Sequence, residues 1–173
     1  MPRDILATLR SEHDNLRGLF DQMNATTDRA KKKRADLLKQ IEAALIPHAK
    51  WEEFHFYPAF KERADRDGLQ THAEALVEHQ AVELTVLPEV KASDVETPKF
   101  AGAVKVLGEL VDHHATEEED TMFKMARKMF SAKERADFDV HYEEWKQSAA
   151  AKGVLFHAEV KTGLKAAIKK LIP

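Results

Sequence analysis

Cysteine is absent from the 173-residue chain. That removes disulfides, thiolate zinc sites and cysteine-ligated iron–sulfur clusters together, and it fits a reducing compartment, read here as the cytoplasm. Glycine and proline number only six each, which argues against a loop-rich β architecture and for helices. No apolar run approaches the roughly 18 residues that could span a bilayer, and the opening segment MPRDILATLRSEHD has no long apolar run and no small-residue cleavage pattern. With a net charge of −3 and a pI near 6.3, there is no general reason to expect nucleic acid or a membrane as partner. A glycine-rich phosphate loop, a G-x-S-x-G elbow and an H-E-x-x-H zinc motif are all missing.

What the chain does have is 43% hydrophobic and 33% charged residues, the balance of a soluble globular domain, and nine histidines. Several of these interrupt apolar stripes of helical period. Stepping by three and four gives Leu6, Leu9, His13, Leu16, Phe20 and Met23; then Ile41, Leu45, His48, Glu52, Phe56 and Ala59; then His72, Leu76, His79, Glu83, Val86 and Val90; then Val104, Leu107, Val111, His114, Glu118, Met122 and Met125. The pattern predicts helices from Pro2 or Asp4, over about 30–64, over about 69–91, and from Pro98, capped by Thr97, to about 130. Pro47 or Pro58 should bend or break the second helix, and Asp67 with Gly68 supplies a stop before the third. The Lys31 to Arg34 run reads as a solvated face. Ser131 and Glu134 form a capping box for a helix bearing Phe138, Tyr142 and Trp145, and an amphipathic helix over 154–172 follows. The expected architecture is all-α: an antiparallel four-helix bundle over residues 1–130 with additional C-terminal helices over 131–173.

The histidines repeat. His13 to His48 and His79 to His114 both span 35 positions, and a shift of 66 carries His13 onto His79, His48 onto His114, Glu52 onto Glu118 and Glu12 onto Glu78. This reads as a helix pair used twice about an approximate two-fold axis. A lone histidine on an apolar face is more often a hydrogen-bonded core residue than a ligand. Six residues in register across two halves are different, because burying four imidazoles and two carboxylates uncompensated costs several kcal/mol each, on the order of the usual desolvation penalty. A metal supplies the compensation, and imidazole plus carboxylate without thiolate suits iron, zinc, manganese or nickel. Two shared carboxylates favour a dinuclear site, with Glu52 and Glu118 between the ions and two histidines on each.

The motifs SEHDNL around His13, HAKWEEFHFYP from His48, VEHQAVE around His79 and HATEEEDTMF from His114 resemble those of the hemerythrin-like HHE cation-binding domains over about residues 4–130. The resemblance implies a bundle enclosing a non-haem centre of two iron ions, oxo- or hydroxo-bridged, with zinc or manganese as substitutes. It implies His13, His48, His79 and His114 as terminal ligands and Glu52 and Glu118 as bridges. Oxygen-carrying members have a further histidine where this chain has Glu83, so Glu83 is a candidate seventh ligand or an acceptor orienting an imidazole. The site is similar to the family's four-histidine sensors and nitric-oxide-related or repair members. The remaining histidines, His55, His72, His113, His141 and His157, are expected to be structural or exposed, with His113 the alternative ligand in the fourth helix.

Three functions follow as expectations. The first is a di-iron protein that binds or senses dioxygen, nitric oxide or peroxide. The second is an enzyme of peroxide breakdown or iron–sulfur repair at the same centre. The third is a metal-poor interaction module whose C-terminal forty residues engage a partner or form a homodimer.

Overall fold

The computed structural model describes residues 3–148 and 151–154. Asp4 accepts a hydrogen bond from the Leu6 N–H at 3.0 Å and opens α1, Ile5–Asn24, a carboxylate cap of the ordinary kind. The expected stripe, His13 included, is buried from Leu6 to Met23. After a turn come α2, Lys31–Trp51, and α3, Tyr57–Arg63, joined without a break through a five-residue π turn, Glu52–Phe56. The same construction recurs as α4, Arg66–Ala81, a π turn, Val82–Val86, and α5, Leu87–Ala92. It recurs again as α6, Pro98–Glu117, a π turn, Glu118–Met122, and α7, Phe123–Met129. Finally α8, Ala132–Gln147, starts on the expected Ser131–Glu134 capping box.

Four rods therefore run up and down: α1, α2–α3, α4–α5 and α6–α7. One core cluster gathers Leu6, Leu9, Trp51, Phe56, Phe60, Met122 and Phe123 at one end, and another gathers Leu16, Phe20, Ile41, Leu45, Phe100, Val104 and Leu107 at the other. α8 lies against α1 and α2 and adds Tyr142 and Trp145 to the first cluster. Among the described residues no helix is long and apolar enough to cross a membrane.

Of the two prolines expected to bend or break the second helix, Pro58 is the one at a change of register, and three other expectations are corrected. Pro47 lies inside α2, which continues past it; the change of helical register comes at Pro58, in the first turn after the π turn. There, Tyr57 donates its N–H to Glu52 O, five residues back, so the widened turn inserts one extra residue. Pro88 follows the second π turn in the same position, whereas Lys124 follows the third. Each π turn slips the buried stripe by one: Phe60 rather than Ala59, Leu87 rather than Val86, and Ala126 rather than Met125 are buried.

Asp67 and Gly68 do not stop a helix. The chain turns at Ala64, Asp65 caps α4 by accepting from the Gly68 N–H at 3.0 Å, and a Cβ on Gly68 would sit 3.0 Å from the Ala64 Cβ. Close approach at the α3–α4 junction is what demands glycine. Arg34 is not solvated: it is 4% exposed, donates to the Val95 carbonyl and Thr26 Oγ1, and lies over the Phe100 ring. The helix expected over 154–172 lies almost wholly outside the described residues.

Ser131→Ala removes the cap of α8 and should lower stability by about 1 kcal/mol, read as a lower urea midpoint with the same slope; an unchanged midpoint would mean α8 is held by packing alone.

Candidate metal centre

Between the two apolar clusters lies a polar layer. His13 sits between Leu9 and Leu16 on α1, His48 between Leu45 and Trp51 on α2, His79 near the end of α4, and His114 after Val111 on α6; all four are less than a tenth exposed. Each imidazole points Nδ1 outward to a carboxylate. His48 meets Glu12 at 2.9 Å, His114 meets Glu78 at 2.7 Å, His13 meets Glu119 at 3.0 Å and His79 meets Glu53 at 3.0 Å. A carboxylate only accepts, so Nδ1 carries the proton and donates, and in the neutral ring Nε2 keeps its lone pair.

Those lone pairs converge. His13 Nε2 and His48 Nε2 are 3.1 Å apart, and His79 Nε2 and His114 Nε2 are 3.0 Å apart. Glu52 reaches both pairs, Oε1 lying 3.1 Å from His48 Nε2 and Oε2 3.7 Å from His79 Nε2. Glu118 Oε2 is 3.5 Å from His13 Nε2 and 4.0 Å from His114 Nε2. His13, His48, Glu52 and Glu118 offer donor atoms all within 4.8 Å of one another, as do Glu52, His79 and His114. Both oxygens of Glu52, and Oε2 of Glu118, are buried without a hydrogen bond. The 3.1 Å approach of His48 to Glu52 thus lacks hydrogen-bond geometry, and both groups face one point.

Electrostatics carry the same message. Burial and the neighbouring Glu52 carboxylate push Glu118 up, because two charges cannot both persist in so dry a space. Burial and the charge on His48 push His13 down to about 3; against its own burial, Glu52 and Glu12 hold His48 up to about 10. One proton between two facing nitrogens is an incomplete substitute for a cation. Six buried N and O donors, three orphaned carboxylate oxygens and no thiolate fit divalent or trivalent iron, manganese or zinc.

The outer carboxylates are themselves anchored. Burial raises Glu12, but hydrogen bonds from His48, Tyr142 and Lys146 outweigh it and hold the carboxyl near 2, so it stays an anion. Arg17 pairs with Glu119 at 3.0 Å and Lys50 with Glu53 at 2.6 Å. Tyr57 donates to Glu118 Oε1 at 2.9 Å, and burial together with Glu118 and Glu52 raises its hydroxyl well above 10, keeping it a phenol.

All six ligand residues expected from the sequence meet here. Glu83 does not join either group: it is one-third exposed and pairs with Lys50 at 2.6 Å on the rim. His113 is 59% exposed, facing Glu78 and Glu117. His72 packs edge-on to Tyr57, and His55 and His141 pack on one another beside Trp51, whose Nε1–H donates to His141. His157 lies outside the described residues. Sequence reasoning gave no role to Glu12, Glu53, Glu78 or Glu119, and made Tyr57 part of the core and of a dry wall rather than a hydrogen-bond donor to Glu118. The shift of 66 that carries Glu12 onto Glu78 also carries Glu53 onto Glu119, so the signal was in the repeat.

Carboxylates that fix a ligating imidazole are worth about 10–100-fold in metal affinity. Glu12→Gln and Glu78→Gln should each weaken cobalt(II) binding by that factor in competition with a chromophoric chelator, with helical content unchanged; unaltered affinity would remove them from this role. A cation must displace the proton that His48 holds up to about pH 10, so metal retention should fall steadily as the pH is lowered, followed by metal content after dialysis across pH 8 to 5.

The chain matches the family described as Hemerythrin HHE cation binding domain over residues 4–126. A solved hemerythrin HHE cation binding domain-containing protein from Mycobacterium kansasii superposes with a TM-score of 0.72 at 19% identity, covering 90% of this chain and 98% of that one; at that identity it shows the fold. A protein of Nostoc sp. named DNA nickase is 24% identical over 140 residues, 81% of this chain, which spans only 38% of that protein's length. A helical bundle, its paired His-x3-Glu turns and a family match across most of its length place this chain in the hemerythrin HHE cation-binding family.

Proposed function

We propose that the chain is a non-haem di-iron protein in which His13 and His48 would hold one ion, His79 and His114 the other, and Glu52 and Glu118 would be shared between them. A small oxidant or diatomic, namely dioxygen, nitric oxide or peroxide, is its ligand. The observation that carries this reading is the convergence of four Nε2 lone pairs on the hydrogen-bond-free oxygens of Glu52 and Glu118. When bound, a pair of redox-active ions with an open position supplies small-molecule binding and electron exchange. Everything else is the work of the chain. The outer glutamates hold the imidazoles in one tautomer, Tyr57 steadies Glu118 and presents a proton-bearing group to the layer, and Trp51, Phe56, Met122 and Phe123 wall one side against water.

Turnover is the second reading, favoured by Tyr57: its proton-bearing hydroxyl donates to Glu118 at 2.9 Å and lies 3.4 Å from His79 Nε2 and His114 Nε2, a candidate general acid beside the ligand atoms.

Protein purified without oxygen should carry two irons per chain with oxo-bridge absorption after oxidation, and His48→Ala should lose most of it. Zinc alone in repeated iron-replete preparations, or full iron in the variant, contradicts the assignment. Steady consumption of hydrogen peroxide selects the enzyme; a single stoichiometric change selects the binder.

A further inference from the structure

The layer of imidazoles is also the floor of something larger. A cavity of about 620 Å³ opens between α2, the α4–α5 rod and α6, with His13, His48, His79 and His114 at its base. A diatomic molecule needs roughly the 30 Å³ of one water, so the space is some twenty times too large for the ligand of the preceding section. It has the size of sites that take organic molecules, about 300–1,000 Å³.

The walls are mainly aliphatic, with Leu16, Leu45, Ile46, Val82, Leu87 and Val111. They also carry the carboxylates of Glu53, Glu78 and Glu83. Two cations reach the lining, and both are engaged. Lys50 lies between Glu53 and Glu83, at 2.6 Å from each, and Lys91 pairs with Glu42. An anionic head group would have to break one of these pairs, so the lining disfavours a fatty acid and suits a neutral molecule. The four Nδ1–H groups at the floor are likewise spent on their glutamates.

We propose that this cavity binds a neutral aliphatic alcohol or hydroperoxide of about ten heavy atoms, which at roughly 30 Å³ each fill about half of it. The small polar head rests at the imidazole floor and the chain lies along the α2 and α5 walls. The inference names a ligand class for the centre proposed above and rests on that reading for its floor.

The test is calorimetric titration of the full-length protein with 1-decanol, metal-loaded and metal-free, with glycerol as the polar control. One saturable site of micromolar affinity is expected, weakened at least tenfold by Val82→Trp and by Val111→Phe, each of which fills the cavity and is checked for folding by far-UV circular dichroism. No saturable binding to the full chain overturns the proposal. Unchanged binding in both folded variants overturns it too. Decanol bound by protein that takes up no cation sinks the metal centre alone; metal retained without decanol binding sinks the cavity ligand alone.

Discussion

Four imidazole N–H groups given away to four outer carboxylates are the constraint on which the structure turns. Once Nδ1 is spent on Glu12, Glu53, Glu78 and Glu119, every Nε2 must present a lone pair to the interior, where Glu52 and Glu118 already bring negative charge. Such an arrangement is repulsive until a cation enters, and the proton held by His48 relieves it only in part. The rest of the bundle serves to hold it in place: apolar clusters above and below fix the height of the layer, and α8 exists in part to bring Tyr142 and Lys146 onto Glu12.

The π turns solve a positional problem. Glu52 and Glu118 must face inward one turn after their histidines, while the very next residues must reach sideways to the imidazole of another rod. A turn widened at Glu52–Phe56 and Glu118–Met122 lets successive glutamates do both. The two halves then differ in small, chemically telling ways. Tyr57 in one half corresponds to Phe123 in the other, so of the two inner carboxylates Glu118 receives a phenol and Glu52 does not. Glu12 is closed over by α8, whereas its counterpart Glu78 faces exposed His113. A symmetric scaffold thus carries an asymmetric site.

Much of this was legible in the sequence, and the failures have physical causes. The stripes and the shift of 66 led directly to His13, His48, Glu52, His79, His114 and Glu118, because helical period is reliable up to the ligands. Beyond them the period fails by one residue at each π turn, so Phe60, Leu87 and Ala126 took the places expected for Ala59, Val86 and Met125. Glu53 and Glu119 were hidden by the same slip, since a straight α-helix turns them away from the seam. Asp67 and Gly68 look like a helix end to any local rule; what decides their role is the Ala64 side chain against which Gly68 packs. Arg34 looks like one more surface cation until Val95 and Phe100, distant in sequence, are seen to surround it.

The account stands or falls on two cations gripped together by nitrogen and oxygen. Iron-edge X-ray absorption of the oxidised protein measures this without reference to activity. The expected result is a first shell of N and O atoms near 2.0–2.2 Å with imidazole scattering, and an iron–iron vector on the order of 3.5 Å. A spectrum with no metal–metal vector at two irons per chain, or without imidazole scattering, would contradict it.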